Sequence, residues 1–274
     1  MLKESDFATP AINIALKACS VKGASSWVTA YPNYEHGTVL HKGDFTDAVC
    51  LRYGWPPPGL PLICKCGAPF SVQHALDCAL GGFRIVQHNE TRDVVVDCMK
   101  EAGYGDVVKE PKIQPLTGEK FKYLSANCDA DAHSDIKCCG FWREQRQAFF
   151  DVKVVSPFAR SYSNQTTEQL FKSSEKSKQR EYGERIREVE HGDFTPLVFT
   201  CSGGMAPQCS MMIKRLAEKI STKQKLSHSV VSGWLRCRLS FALLRTTILC
   251  LRGTRRKRFI NENNIELAVS DNDY

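Results

Sequence analysis

The sequence predicts an α/β fold whose core has the element order α-β-β-β-α-β. Three observations support this prediction. A polar segment with a helical pattern is followed by three short segments that are rich in Val, Phe and Ile and bounded by turn residues. A long polar helix pattern and a fourth apolar strand pattern come next. Three consecutive strands indicate a meander, and the helix before the fourth strand indicates a crossover connection.

The core elements differ clearly in composition. HNETRDVVVDCMKEAGYG (88–105) predicts a helix that stops at glycine. The strongest strand pattern is QAFFDVKVVSP (147–157), whose Phe and Val residues are typical of a buried strand. The remaining core elements are predicted as strands at 106–116, 133–142 and 195–204 and as a long polar helix at 166–190.

Helical patterns flank this core on both sides. An N-terminal helix is predicted within 36–55, and the proline-rich PPPGLP (56–61) ends it. Two helices are predicted at 211–222 and 229–253. We therefore divide the chain into an N-terminal helical segment (1–62), a short Cys/His segment (63–82), the core (83–208), basic C-terminal helices (209–258) and an acidic, disordered tail (259–274).

The composition excludes several classes of protein. The chain is 42% apolar and 24% charged, which excludes a mostly disordered chain and a small disulfide-stapled scaffold. The most apolar stretch (240–253) is interrupted by Arg245 and Arg252, so no membrane-spanning helix is expected. The first 20 residues lack the apolar core of a signal peptide. We therefore expect the thirteen cysteines to be thiols or metal ligands rather than disulfides.

Positive charge is concentrated in the C-terminal quarter of the chain. Residues 211–258 carry 13 Lys and Arg but a single acid, Glu218, whereas residues 1–210 are close to neutral. Such a segment favours an anionic partner, with nucleic acid first and a membrane surface second, although a solvated helical face has the same composition. GTRRKR (253–258) also matches a nuclear-localisation patch. The predicted nucleic-acid contacts are Arg236, Arg238, Arg245, Arg252, Arg255, Arg256, Lys257 and Arg258.

The Cys/His segment has the spacing of a metal site. Cys64 and Cys66 supply one side from a turn, and His74 and Cys78, four residues apart, supply the other from one turn of helix. Ser71 is placed to cap that helix. Four such ligands suit a tetrahedral, structural Zn²⁺ with no open position for catalysis. The alternative is that these cysteines are buried free thiols.

A second constellation lies on the strongest predicted strand. Asp151 and Lys153 are two residues apart, so both side chains project from one face of the strand. Asp135 lies on the preceding strand of the meander, where antiparallel pairing can bring it close to Asp151. Two carboxylates can hold Mg²⁺ or Mn²⁺, and a neighbouring lysine can orient a water and face a phosphate. The alternative is an ion pair between Asp151 and Lys153 at a strand edge.

Taken in order, these features resemble a known family. The matching stretches are the Cys/His segment, then HNETRD (88–93), Ser134-Asp135, Asp151-Val-Lys153 and KQREY (178–182). They resemble the C-terminal part of polyproteins of early-branching non-LTR retrotransposons. In those proteins a zinc knuckle precedes a restriction-enzyme-like endonuclease of the PD-(D/E)XK superfamily. The resemblance covers about residues 36–205. It departs from the family at Ser134, where Pro is usual, and in lacking any reverse transcriptase motif.

The resemblance implies a function and further site residues. It implies a Mg²⁺- or Mn²⁺-dependent endonuclease that nicks DNA in the nucleus, with RNA as the alternative partner and a reverse transcriptase supplied elsewhere. Asp135, Asp151 and Lys153 would be its catalytic residues. Glu90 would approach the same metal from the opening helix, with Glu110 as an alternative. Lys178 and Tyr182, one helical turn apart, would face the cleft and orient the phosphate or a water.

Two other functions remain open at the level of sequence. One is a catalytically inactive nucleic-acid-binding module of a degenerate mobile element. The other is an interaction protein whose helix at 229–252 docks to a partner through an exposed apolar face. An endonuclease requires Asp135, Asp151 and Lys153 to converge in an open cleft, so their placement is the observation that bears most directly on the choice.

Overall fold

A computed structural model describes residues 10–159, 162 and 165–254. The helices are α1 (Pro10–Cys19), α2 (Lys42–Tyr53), α3 (Val72–Asp77), α4 (Phe83–Glu101), α5 (Thr167–Lys178), α6 (Glu184–Glu188), α7 (Pro207–Gln224) and α8 (His228–Arg252). The strands are β1 (Val108–Lys109), β2 (Ile136–Cys139), β3 (Gln147–Val155) and β4 (Asp193–Thr200). This is the mixed α/β composition that the sequence predicts.

The four strands form one mixed sheet in the order β1-β2-β3-β4. β1 pairs antiparallel with β2, and β2 pairs antiparallel with β3. β4 runs parallel to β3, because the chain crosses over between them through α5 and α6. The meander, the crossover and the fourth strand therefore occur in the predicted order. β1 is much shorter than predicted, because Glu110 adopts a left-handed φ of 49° and Pro111 has no N–H to continue the ladder.

The crossover helix contains an irregular turn. Thr166 begins α5 with a capping box that it forms with Gln169. At Gln179–Gly183 the backbone widens into a π-helical turn before α6 continues in the same direction. Such turns are rare and are found frequently at functional sites. The sequence predicts the long helix here but not its interruption.

Successive side chains of β3 pack on opposite sides of the sheet. Ala148, Phe150 and Val152 belong to the main hydrophobic core, to which α4, α7 and α8 also contribute. Phe149 instead packs with Tyr182 and Ile186 of the crossover segment. The alternation places Asp151 and Lys153 on the same side of β3 as the crossover segment.

The flanking helices are tied to this core. α7 and α8, from the predicted basic C-terminal segment, share the main hydrophobic cluster with the sheet. α2 ends at Gly54, which has a φ of 68° and is followed by Trp55 and the prolines of PPPGLP. Of the helices in the described residues, none is long and apolar enough to cross a membrane.

Candidate functional site

The predicted Cys/His ligands are brought together at one point. Cys64 Sγ lies 3.9 Å from Cys78 Sγ, and Cys66 Sγ lies 3.3 Å from His74 Nε2. All four ligand atoms are within 4.8 Å of one another. Ligand atoms around a tetrahedral Zn²⁺ lie about 3.5–3.8 Å apart, because Zn–S and Zn–N bonds are about 2.3 and 2.0 Å. The group can therefore hold a structural Zn²⁺. In the described residues it is the one such group of three or more potential ligands.

Local structure accounts for this convergence. The Cys64 N–H donates to the Ala68 carbonyl, and the Gly67 N–H donates to the Cys64 carbonyl, which closes a tight turn around the first two cysteines. Gly67 has a φ of 91°, a conformation that favours glycine. On the other side, the Ser71 hydroxyl caps α3 by accepting the His74 N–H, as the sequence predicts. We refer to residues 63–82 as the knuckle.

Asp135 and Asp151 meet at the junction of β2 and β3. The register pairs Ile136 with Phe150, so one further step along the ladder sets Asp135 opposite Asp151. Asp135 Oδ1 lies 3.0 Å from His88 Nε2, and its Oδ2 accepts the backbone N–H of Val152. Both oxygens of Asp135 are thus fixed, one from α4 and one from β3.

Asp151 is a strongly perturbed acid. Its side chain is only 7% exposed. Burial, reinforced by the nearby carboxylate of Asp135, raises the pKa of Asp151 to about 7, although Lys178 opposes the shift. Lys178 Nζ lies 3.1 Å from Asp151 Oδ2 and donates a 3.4 Å hydrogen bond to Asp151 Oδ1. The ion pair predicted as an alternative therefore involves Lys178 and not Lys153.

Three further predicted residues line the same cleft. Lys153 is half-buried, and burial together with the charge of Lys178 lowers its pKa. Lys178 Nζ also lies 3.2 Å from Glu181 Oε2. Burial alone would lower the pKa of Lys178, but the carboxylates of Asp151 and Glu181 raise it. Tyr182 is largely buried, which raises its pKa, and its hydroxyl accepts a 3.4 Å hydrogen bond from Asn127.

Glu90 and Glu110 lie away from these residues. Glu90 is exposed and borders a separate cavity of about 290 Å³ between α4 and α8. Glu110 forms an ion pair with Arg92. His88 is the side chain of α4 that reaches Asp135. Two positions along an α-helix differ by about 200° around its axis, so His88 and Glu90 cannot face the same cleft.

The cleft joins the knuckle to the paired aspartates. Its volume is about 1390 Å³. One wall is formed by the knuckle, including Ser71 and His74, and by Arg84 at the start of α4. The rest of the lining comes from the residue before β2, from β3 and from the crossover segment, and includes Asp135, Asp151, Lys153, Lys178, Glu181 and Tyr182. Sequence reasoning missed Arg84, His88 and Glu181. His88 and Glu181 lie within the stretches HNETRD and KQREY that carry the resemblance.

The arginines of α8 mostly make intramolecular contacts. Arg252 makes a bidentate ion pair with Asp47 and also donates to the Pro58 carbonyl. Arg238 pairs with Glu101 at 3.0 Å and lies over the Trp234 ring.

Two other arginines complete the set predicted on α8. Arg245 donates to the carbonyl oxygens of Gly37 and Val39. Arg236 is half-buried. Arg255, Arg256, Lys257 and Arg258 lie outside the described residues. Nucleic-acid contact by these side chains stays a prediction.

No protein-family model matches the chain, and no curated protein matches it. The assignment of a function therefore depends on the cleft itself.

Proposed function

We propose that the chain is a metal-dependent endonuclease that hydrolyses phosphodiester bonds of DNA in the cleft. The observation that carries the proposal is the meeting of Asp135 and Asp151 beside Lys153 on one wall of a cleft. Buried carboxylates of the same charge are costly unless a cation accompanies them. The pKa of about 7 for Asp151 reflects that cost.

The donor set at this position fits Mg²⁺ or Mn²⁺. Both ions prefer carboxylate oxygens, and Asp151 offers a buried carboxylate that already faces a cation, the Lys178 ammonium. When bound, such an ion acidifies a coordinated water and offsets the negative charge of the phosphate. Asp135 and Asp151 would hold it, and His88 would keep the Asp135 carboxylate turned toward the cleft.

The remaining residues of the cleft provide positive charge for a phosphate backbone. Lys153 projects from β3 next to Asp151, and its lowered pKa reflects a partly desolvated ammonium. Arg84 is exposed on the opposite wall. A substrate strand in the cleft would therefore meet the cations Arg84 and Lys153 as well as the paired aspartates.

The order of elements supports the same proposal. A helix, a meander, a crossover and a parallel fourth strand are what the resemblance to the PD-(D/E)XK superfamily implies, and the knuckle precedes them as in the retrotransposon polyproteins. On this basis we include in the proposal that the chain derives from a mobile element, is nuclear and acts together with a reverse transcriptase.

Nicking of supercoiled plasmid at low salt, with Mg²⁺ or Mn²⁺, tests the proposal. The wild-type chain should convert supercoiled to open-circular plasmid, and Asp151→Ala should abolish this activity. Asp97→Ala, an exposed acid of α4 outside the cleft, is the matched control and should nick like wild type.

The other outcomes are equally informative. Plasmid binding without nicking would reject the enzyme and support the alternative, an inactive nucleic-acid-binding module. Loss of activity in both Asp151→Ala and Asp97→Ala would show that the measurement does not report on the cleft. Absence of both binding and nicking in wild type would reject both functions.

A further inference from the structure

Lys178 occupies a central position among the carboxylates of the cleft. Its ammonium lies 3.1 Å from Asp151 Oδ2 and 3.2 Å from Glu181 Oε2. Lys178 is the last residue of α5, and Glu181 lies in the π-helical turn that follows. A single protein cation thus bridges one acid of the sheet and one acid of the crossover.

Glu181 is a third acid that lines the cleft, where the resemblance implied Glu90. It lines the cleft together with Asp135 and Asp151, whereas Glu90 borders a different cavity. The Asp151 side chain is more than nine-tenths buried, and the Lys178 ammonium faces its Oδ2 at 3.1 Å. Lys178 Nζ also donates a 3.4 Å hydrogen bond to Asp151 Oδ1, so one ammonium contacts both oxygens of this buried carboxylate, as a divalent cation can.

We propose that the Lys178 ammonium is a built-in substitute for a divalent cation, and that Asp151 and Glu181 bind Mg²⁺ or Mn²⁺ once Lys178 moves out. This inference rests on the proposed endonuclease function and adds Glu181 to its metal site. It gives Lys178 a role that differs from orienting the phosphate, because the lysine competes with the metal in the resting state.

A place for the displaced ammonium is already present. Lys178 Nζ lies 5.2 Å from the centre of the Tyr182 ring. An ammonium is attracted to the face of an aromatic ring, so a small rotation of the lysine side chain would exchange the carboxylates for Tyr182. Tyr182 would then hold the lysine aside when the metal site is filled.

The competition follows from electrostatics. Two cations cannot share one position, and an ammonium a few ångströms from a divalent ion is only weakly screened in a partly buried cleft. Wild-type metal affinity should therefore be lowered by Lys178. Replacing Lys178 with methionine removes the charge and keeps an unbranched side chain of similar length.

Mn²⁺ binding to the full, zinc-loaded chain, measured by the electron paramagnetic resonance of free Mn²⁺, tests the inference. Lys178→Met should tighten the Kd about tenfold, because a repulsive charge is removed from the site. Glu181→Gln should weaken it about tenfold, because a charged ligand is lost. Lys176→Met, an exposed lysine of the same helix outside the cleft, should bind Mn²⁺ like wild type.

An unchanged or weaker Kd in Lys178→Met would overturn the inference. Lys178→Gln provides a second neutral variant, and melting followed by circular dichroism verifies that each variant is folded. If wild type nicks plasmid and Lys178→Met leaves the Kd unchanged, only this inference fails. If neither wild type nor Lys178→Met binds Mn²⁺ and neither nicks, the proposed function fails with it.

Discussion

The surroundings of Asp151 oppose the ionised form of its carboxyl group. Its pKa of about 7 lies well above the ordinary value for an aspartic acid, because the carboxyl is buried and Asp135 is close. The folded state therefore binds a proton that the unfolded state releases near pH 4. Ionisation of Asp151 consequently destabilises the fold as the pH rises from about 4 to about 7.

Asp151→Asn is expected to be more stable than wild type above this range. At pH 8, without added Mg²⁺, the gain in unfolding free energy is at most about 4 kcal/mol, since each pKa unit corresponds to about 1.4 kcal/mol. Loss of the ion pair with Lys178 reduces it. Chemical denaturation at pH 5 and pH 8 measures the difference, which should shrink at the lower pH. A gain that is equal at both values would show that Asp151 does not titrate in this range.

His88 is expected to act by holding Asp135. We predict that His88→Ala lowers the plasmid-nicking rate about 10- to 100-fold, the usual effect of losing a group that orients a metal ligand. His88→Gln keeps a side-chain donor and should recover part of the rate. Plasmid affinity, measured by filter binding at the same salt concentration, should be unchanged in both. A loss of affinity equal to the loss of rate would instead assign His88 to substrate binding.

The difference between His88 and Glu90 shows the limit of sequence reasoning at this scale. Both lie in the stretch that carries the resemblance, and the sequence predicts the helix around them. The sequence does not show which face of that helix is buried, because Val94, Val95 and Val96 are consecutive and span about 200° of its circumference. The rotation of α4 about its own axis is set by its packing against the core, where Val95, Val96 and Met99 are buried.

At the scale of elements, the knuckle is the part that the sequence predicts best. Its ligands are fixed by short-range features, namely a tight turn at Gly67 and one turn of helix between His74 and Cys78. The strand β3 could also be predicted locally, since its run of Phe and Val residues marks it as a buried strand. The π-helical turn could not be predicted, because its residues are mostly polar, as in the rest of the crossover helix.

Loss of one knuckle ligand should destabilise the chain. We predict that Cys64→Ser lowers the zinc content from one to less than one ion per chain and reduces the unfolding free energy by more than about 2 kcal/mol, because structural zinc contributes to folding directly. Metal analysis and thermal melting are the measurements. Cys128→Ser, an exposed cysteine outside the cluster, should change neither quantity. A zinc content unaffected by Cys64→Ser would disprove the site.

At the scale of the whole molecule, the C-terminal helix acts as a structural brace. Arg252 joins the buried Asp47 of α2, 205 residues away in the chain, and Gln87 of α4 donates a buried 2.9 Å hydrogen bond to Thr247. The sequence could not predict these pairings, because composition indicates a basic segment but not its intramolecular partners. The observed contacts give Arg252 a structural role that its charge alone did not suggest.

Two substitutions on α8 are therefore expected to separate stability from binding. Arg252→Ala should reduce the unfolding free energy by about 3 kcal/mol, since it leaves the buried Asp47 carboxylate unpaired. Its plasmid affinity should equal that of wild type. Arg236→Ala should cost less stability, about 1 kcal/mol, because it leaves no buried charge behind, but it should weaken plasmid binding and flatten its salt dependence. Denaturation and binding at two salt concentrations distinguish them. Equal effects from both variants would contradict this division.

The contact between α8 and the knuckle also bears on how the chain is made. Leu76 of the knuckle and Phe83 of α4 pack in one cluster with Cys250 near the end of α8. During translation these partners are separated by most of the chain, so they cannot meet until α8 has left the ribosome. Until α8 emerges, the knuckle lacks this packing, so the proposed activity would require α8 as well as the knuckle and the sheet.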